Sequence, residues 1–171
     1  SIINEMKERG VDFFDYQQDK NKNIKICMNY IHNLGSEDDE FLCFGITDSI
    51  NIELNKIDNI VTPKTADILK FKGIEDVNKI GSELSIDYLL QGSLMKMGSQ
   101  FRLSLIMTNI INSNELWTEH WEDKTDNLSH VKNEILVKIL EELGVKIPDR
   151  LQEKSTKEQE INPVAYELLM K

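Results

Sequence analysis

The periodicity of the sequence changes character near Ser85, and that change limits the fold more than any other feature. Residues 86–97, 100–111 and 115–124 read as three successive strands, separated by the turn-forming Met97-Gly98-Ser99 and Asn112-Ser113-Asn114. In the middle strand Phe101, Leu103, Leu105 and Met107 alternate with Arg102, Ser104, Ile106 and Thr108, so one of its two faces is core. The segment is a three-stranded antiparallel meander whose apolar face needs a covering layer.

Helices on either side supply that layer. Leu42, Ile46, Ile50, Leu54 and Ile57 draw one stripe along a long helix. Ser36 and Asp39 form a capping-box-like start for it, and Glu37, Asp38 and Glu40 place negative charge where a helix N-terminus favours it. Pro63 suits the first turn of a short helix to about Leu69, and Ile74, Val77, Ile80 and Leu84 mark another. Leu128, Val131, Ile135, Ile139 and Leu143 mark the last, capped by Asp126 or Asn127 and ended at Gly144 with Pro148 beyond. Ile24 to Ile31 and Asn59 to Thr62 read as strands. The fold class is therefore α/β (α+β), with a mixed five-stranded sheet, elements in the order β-α-β-α-α-β-β-β-α, a C-terminal antiparallel meander, and helices packed on the sheet.

A chain of 171 residues suits one such domain. Residues 1–23 read as a polar linker with a short helix, 24–147 as the compact domain, 148–161 as a second linker and 162–171 as the start of a helical region. Thirty acidic against twenty basic residues give a net charge of −10, which repels phosphate backbones and excludes nucleic acid as a partner. The longest apolar runs, such as Ile106 to Ile111, fall far short of the roughly 20 residues that span a bilayer, so no membrane contact is expected within the chain. A cytoplasmic domain is the first expectation, and a periplasmic one if the whole protein is anchored or secreted. Cys27 and Cys43, isolated on apolar segments, read as buried thiols rather than a bridge.

The motifs with a specific catalytic mechanism are missing: there is no phosphate-binding loop, dinucleotide glycine fingerprint, zincin helix or nucleophile elbow. His32, His120 and His130 lack metal-like spacing, and the run Glu37-Asp38-Asp39-Glu40 lacks the alternation of a calcium loop. No catalytic, cofactor-binding or metal-binding residue is assigned. Thr47 and Asp48 after Gly45 could form a small polar site, but Gly45 inside a helix reads as close packing of helix on sheet. Gly92-Ser93 reads as a bulge or a close backbone approach. Trp117 and Trp121 lie four apart in the last strand and share a face, with Leu116, Thr118 and His120 on the opposite one; an edge strand bearing two aromatics could seat a partner, so Trp117, Trp121 and His120 are the candidate interaction surface. The competing reading has both tryptophans covering the core under the helices.

Several stretches resemble the TolB-like amino-terminal domain of bacterial regulatory proteins. Residues 40–48, Glu-Phe-Leu-Cys-Phe-Gly-Ile-Thr-Asp, are similar to that family's first helix, and Phe71-Lys72-Gly73 to its aromatic-lysine-glycine turn. Asp87-Tyr88-Leu89-Leu90-Gln91-Gly92-Ser93-Leu94 resembles its third-strand signature, and Leu116-Trp117-Thr118-Glu119 the opening of its fifth strand. The family usually has a proline and phenylalanine before the Asn-Leu of its first strand, where this chain has Tyr30 and Ile31 before Asn33-Leu34. Residues 162–168, Asn-Pro-Val-Ala-Tyr-Glu-Leu, are similar to the entry of a tetratricopeptide repeat array. The resemblance implies a non-catalytic regulatory module beside an adenylate or guanylate cyclase, kinase or DNA-binding domain. Its partners would be neighbouring domains of the same polypeptide, another protein, or a second copy of itself. A sensor of a nucleotide or metabolite, and an envelope-associated protein recruiting partners by strand addition, are the alternatives.

Overall fold

The computed structural model describes residues 23–152. In chain order the elements are β1 (Ile24–Met28), β2 (His32–Asn33), α1 (Glu40–Asn55), β3 (Ile60–Val61), α2 (Thr65–Leu69), α3 (Val77–Leu84), β4 (Tyr88–Met97), β5 (Gln100–Asn109), β6 (Asn114–Lys124) and α4 (Leu128–Leu143). The short helix expected in residues 1–23 and the helical region at 162–171 lie outside the described residues.

The sheet is mixed, in the order β3-β1-β4-β5-β6, with the two-residue β2 paired separately to β4. β1 runs parallel to both β3 and β4, while β4, β5 and β6 form the antiparallel meander. The expected five-stranded mixed sheet is present, with β2 as an addition. The single strand expected over residues 24–31 ends at Met28, and the chain re-enters the sheet at His32 opposite Ser93. Tyr30 and Ile31, where the family pattern departs, lie in the break, and both are buried.

Alternation sends β1 and β4 side chains to two cores. Ile26, Met28, Leu90, Leu94, Phe101, Leu103, Leu105 and Met107 meet the stripes of α1 and α4, among them Ile46, Ile50, Leu54, Ile135 and Ile139. Burying each such side chain contributes about 1.5–3 kcal/mol. On the other face Cys27 and Leu89 pack with Ile68, Phe71 and Ile80 of the α2–α3 region. Leu151, within the stretch read as linker, is also buried in the first core, and Arg150 pairs with Glu53 of α1.

Buried polar side chains hold α1 to the end of β1. Asn51 accepts from the Met28 backbone N–H at 2.8 Å and donates to the Met28 carbonyl at 2.9 Å. β3 is too short to pair with this part of β1, so one amide side chain replaces a strand partner there. Thr47 Oγ1 accepts from Ile31 N–H at 3.1 Å and donates to the Cys43 carbonyl at 2.8 Å.

Gly45 does not pack closely on the sheet. It is exposed, and a Cβ placed there meets nothing within 4 Å. Gly45→Ala is therefore expected to raise stability by up to about 1 kcal/mol through helix propensity alone, read from urea unfolding. The helix position needing a small residue is Gly81, whose Cβ would lie 2.4 Å from Cγ2 of Ile110, just past the end of β5.

Cys27 and Cys43 are both free, and they sit in different cores on opposite faces of the sheet. Burial pushes the Cys27 thiol up to about 12, and burial followed by the nearby Glu40 and Asp39 charges pushes Cys43 up to about 11. Neither is expected to react with a thiol reagent at pH 8 in the native state, and both should react on unfolding. Because the folded values lie above the unfolded ones, the unfolded state loses its protons first. Stability should fall as pH rises from about 9 toward 12, as urea midpoints at pH 8 and pH 10.5 would show.

Candidate functional site

α2 and α3 cover only one end of the second sheet face. The rest of the meander faces outward on that side, with Gln91, Ile106 and Thr118 forming one rung and Ser93, Ser104 and His120 the next. His32 of β2 lies opposite Ser93, so a polar row of His32, Ser93, Ser104 and His120 crosses four strands. With strands about 4.8 Å apart, the two imidazoles stand at the ends of a row about 14 Å wide. This floor, the loop after β1 and the turn at Lys72-Gly73-Ile74-Glu75 enclose an open groove of about 790 Å³.

The walls are built by long-range ties. Asn29 Nδ2 donates to the Phe71 carbonyl at 3.0 Å and the Ile74 carbonyl at 3.2 Å, while its Oδ1 accepts from Tyr30 N–H at 2.8 Å. One side chain thus fixes the Lys72 turn to the end of β1. Lys72 Nζ lies 2.7 Å from Glu40 Oε1 and 4.9 Å above the Phe44 ring. Hydrogen bonding to Lys72, and next to Asn33, holds the Glu40 carboxyl below its usual range. Tyr30 stacks obliquely on Phe44 at 4.9 Å and donates its hydroxyl to Asp48 at 2.6 Å. Burial, then the Asp48 carboxylate, raises the Tyr30 hydroxyl above its ordinary value.

The charged groups are mostly paired with each other. Gln91 Nε2 donates to the Glu75 carbonyl, and Asp39 lies 3.8 Å from Lys96. Ser36 accepts from Asp38 N–H, so the acidic run acts at a helix start and in ion pairs. Ser104 Oγ and His120 Nδ1 are 2.7 Å apart, which is nucleophile–base distance. No hydrogen bond or ion pair among the described residues holds the other imidazole nitrogen, so this pair lacks the third group that orients a general base. No group of three or more His, Cys, Asp or Glu among the described residues could hold a metal ion.

The structure separates the three residues of the sequence-derived surface. Trp117 and Trp121 lie edge to face at 6.4 Å and pack against the α1–α4 core. Lys138 of α4 covers Trp117 at 5.2 Å, and the buried Trp117 Nε1 has no acceptor among the described residues. His120 projects from the opposite face, into the groove. Sequence reasoning missed Asn29, Tyr30, Glu40 and Lys72 as groove residues, although Phe71-Lys72-Gly73 had already marked their turn. Gly92 is a close approach and not a bulge, since a Cβ there would lie 2.2 Å from the Ser104 carbonyl oxygen. The register shift falls at Met107/Thr108 instead.

No family model matches the chain. Over 138 residues it is 25% identical to "Putative adenylate cyclase 3" of Rhizobium meliloti (strain 1021), covering 80% of this chain and 24% of that protein. The chain therefore spans about a quarter of the length of the curated relative it matches. TolB from Acinetobacter baumannii superposes with a TM-score of 0.54 at 11% identity, covering 71% of this chain and 28% of that one. Lipoprotein GNA1162 from Neisseria meningitidis gives a TM-score of 0.51 at 12% identity, covering 67% and 95%. The fold is TolB-like.

Proposed function

We propose that this chain is a non-catalytic regulatory and protein-interaction domain of a multidomain bacterial signalling protein, attached to a nucleotide cyclase or similar output domain. The observation that carries the reading is the groove, in and beside which Lys72 is engaged with Glu40, His120 with Ser104 and Tyr30 with Asp48. Such a surface recognises more readily than it reacts, because its one nucleophile–base pair, Ser104 with His120, has no third group among the described residues to orient the base. The likeness of most of this chain to about a quarter of a cyclase-named protein supports its attachment to a larger polypeptide. In this reading residues 24–147, with Arg150 and Leu151 packed on them, are the regulatory unit, the stretches beyond on either side are linkers, and residues 162–171 begin a helical repeat region. The domain would then work in the cytoplasm, and no helix among the described residues is long and apolar enough to cross a membrane.

The test is to incubate the purified chain with ATP and Mg²⁺, and separately to measure the output activity of the whole polypeptide with and without residues 24–152. The expected result is no turnover by the chain alone and a changed output on deletion. Nucleotide turnover that is lost in Ser104→Ala or His120→Ala would overturn the reading.

A second reading, a sensor of a small ligand, is favoured by one feature. The groove lies at the carboxyl end of β1, beside β4, and its volume suits a small molecule. Saturable stabilisation by a metabolite, lost on Lys72→Glu, would move the conclusion to it.

A further inference from the structure

The sheet ends in two edges of different kinds. β3 is an edge of two residues, short enough to offer little to another chain, while β6 is an edge of eleven. β6 contains no proline or glycine, and after the shift at Met107/Thr108 its pairing with β5 is regular from Trp117 to Lys124. No strand pairs with its outer side among the described residues. Edges of this length are usually blunted by proline, bulges or a covering element. β6 carries acids instead: Glu115, Glu119, Glu122 and Asp123 against Lys124.

Those acids select among strands. Two copies of β6 laid side by side would bring acidic strands together, which cross-strand energetics disfavours. A basic strand meets the opposite field, reinforced by the net charge of −10. Glu119 and Glu122 point to opposite faces of the sheet. Each has one cation on the inner side, Lys138 at 3.3 Å and Arg102 at 3.5 Å, both measured to Oε1. Their side chains remain 45% and 70% exposed, which leaves room for a second cation.

We propose that the β6 edge is the docking strand for an extended segment of another polypeptide with Lys or Arg three residues apart, one on each of its faces, which joins the sheet through its main chain and is selected by Glu119 and Glu122. This rests on the protein-interaction reading above and names its surface and partner chemistry.

The experiment adds to the full chain a nine-residue valine-rich peptide with lysines three residues apart, so that both faces carry one, with a peptide bearing glutamate at the same positions as the counterpart. Affinity is measured by calorimetry and the site by amide hydrogen exchange. The lysine peptide is expected to bind and to slow exchange across residues 117–124, and the glutamate peptide to do neither. Glu119→Lys with Glu122→Lys should weaken binding by about tenfold or more, while Asp58→Lys with Asp67→Lys, an equal charge change in the segments flanking β3, should change it by less than about twofold. Glu122→Gln, which leaves the fold's other ion pairs intact, should give an intermediate loss. Equal weakening by both double reversals, or protection confined to the groove, overturns the edge assignment. If β6 shows no protection while deletion of the domain still changes the output, only this inference fails. If deletion changes nothing, the proposed role fails with it.

Discussion

Asn51→Leu is expected to lower the unfolding free energy by about 3 kcal/mol, a large share of the ~5–15 kcal/mol that holds a domain of this size. Leucine fits the volume but cannot pair with the Met28 N–H and carbonyl, which Asn51 now meets at 2.8 and 2.9 Å. Each buried backbone group left unpaired costs about 1–3 kcal/mol, and the apolar area gained returns only part of it. Asn51→Asp separates the two bonds, because it keeps an acceptor for the N–H and offers the carbonyl no donor at neutral pH. Urea unfolding of both variants at constant m-value is the measurement. A loss under about 1 kcal/mol for Asn51→Leu would mean that water or a backbone shift replaces the amide, and that the missing stretch of strand beside β1 is not essential.

Gly92→Ala should be of similar size for the opposite reason: too much matter where Asn51→Leu leaves too few bonds. Its Cβ would lie 2.2 Å from the Ser104 carbonyl oxygen and 2.5 Å from Leu105 Cδ2. The leucine tip can turn away. The carbonyl is backbone in the neighbouring strand, so β4 and β5 must part locally, and over-packing of this kind costs about 1–3 kcal/mol, here at the upper end. Ser104 also touches His120, so the shift should reach the groove floor. Gly81→Ala is the control. Its nearest obstacle is the Ile110 side chain, and the loss should be smaller. Thermal melts of the two variants compare them directly, and an unchanged midpoint for Gly92→Ala would show that the strands part without cost.

The meander and the helical stripes were legible because periods of two and of about 3.6 residues are written in consecutive side chains. Phe101, Leu103, Leu105 and Met107 are all buried, as are Ile46, Ile50 and Leu54. Gly45 misled because a glycine in a helix implies close packing only if a neighbour approaches, and nothing in the sequence says whether one does. The break at Asn29 was invisible for a related reason. That side chain bonds to Phe71 and Ile74, over forty residues away, and no local pattern announces such a tie. One signal was available: Thr47 and Asn51 lie four apart beside the apolar stripe, and both bond to the backbone at or just beyond the β1 end. The groove combines short, polar contributions from β2, β4, β5, β6 and the Lys72 turn, so no single segment could reveal it. Trp117 and Trp121 were rightly placed on one face, and the sequence held both the surface and the core reading of that face.

The pairing of β1 also sets the order in which the molecule can assemble. β4, β5 and β6 are joined by tight turns, whereas β1 must find Tyr88 to Leu90 across some sixty residues of chain, a separation of 62 for the Lys25–Asp87 bond. Closing a loop that long is slow relative to forming hairpins, so the meander forms early and β1 docks late. Gly92→Ala, inside the early part, should chiefly slow refolding. Asn51→Leu, at the late junction, should leave the refolding rate nearly unchanged and speed unfolding. A chevron plot of each variant would display the two halves of the domain as the two arms of a single V.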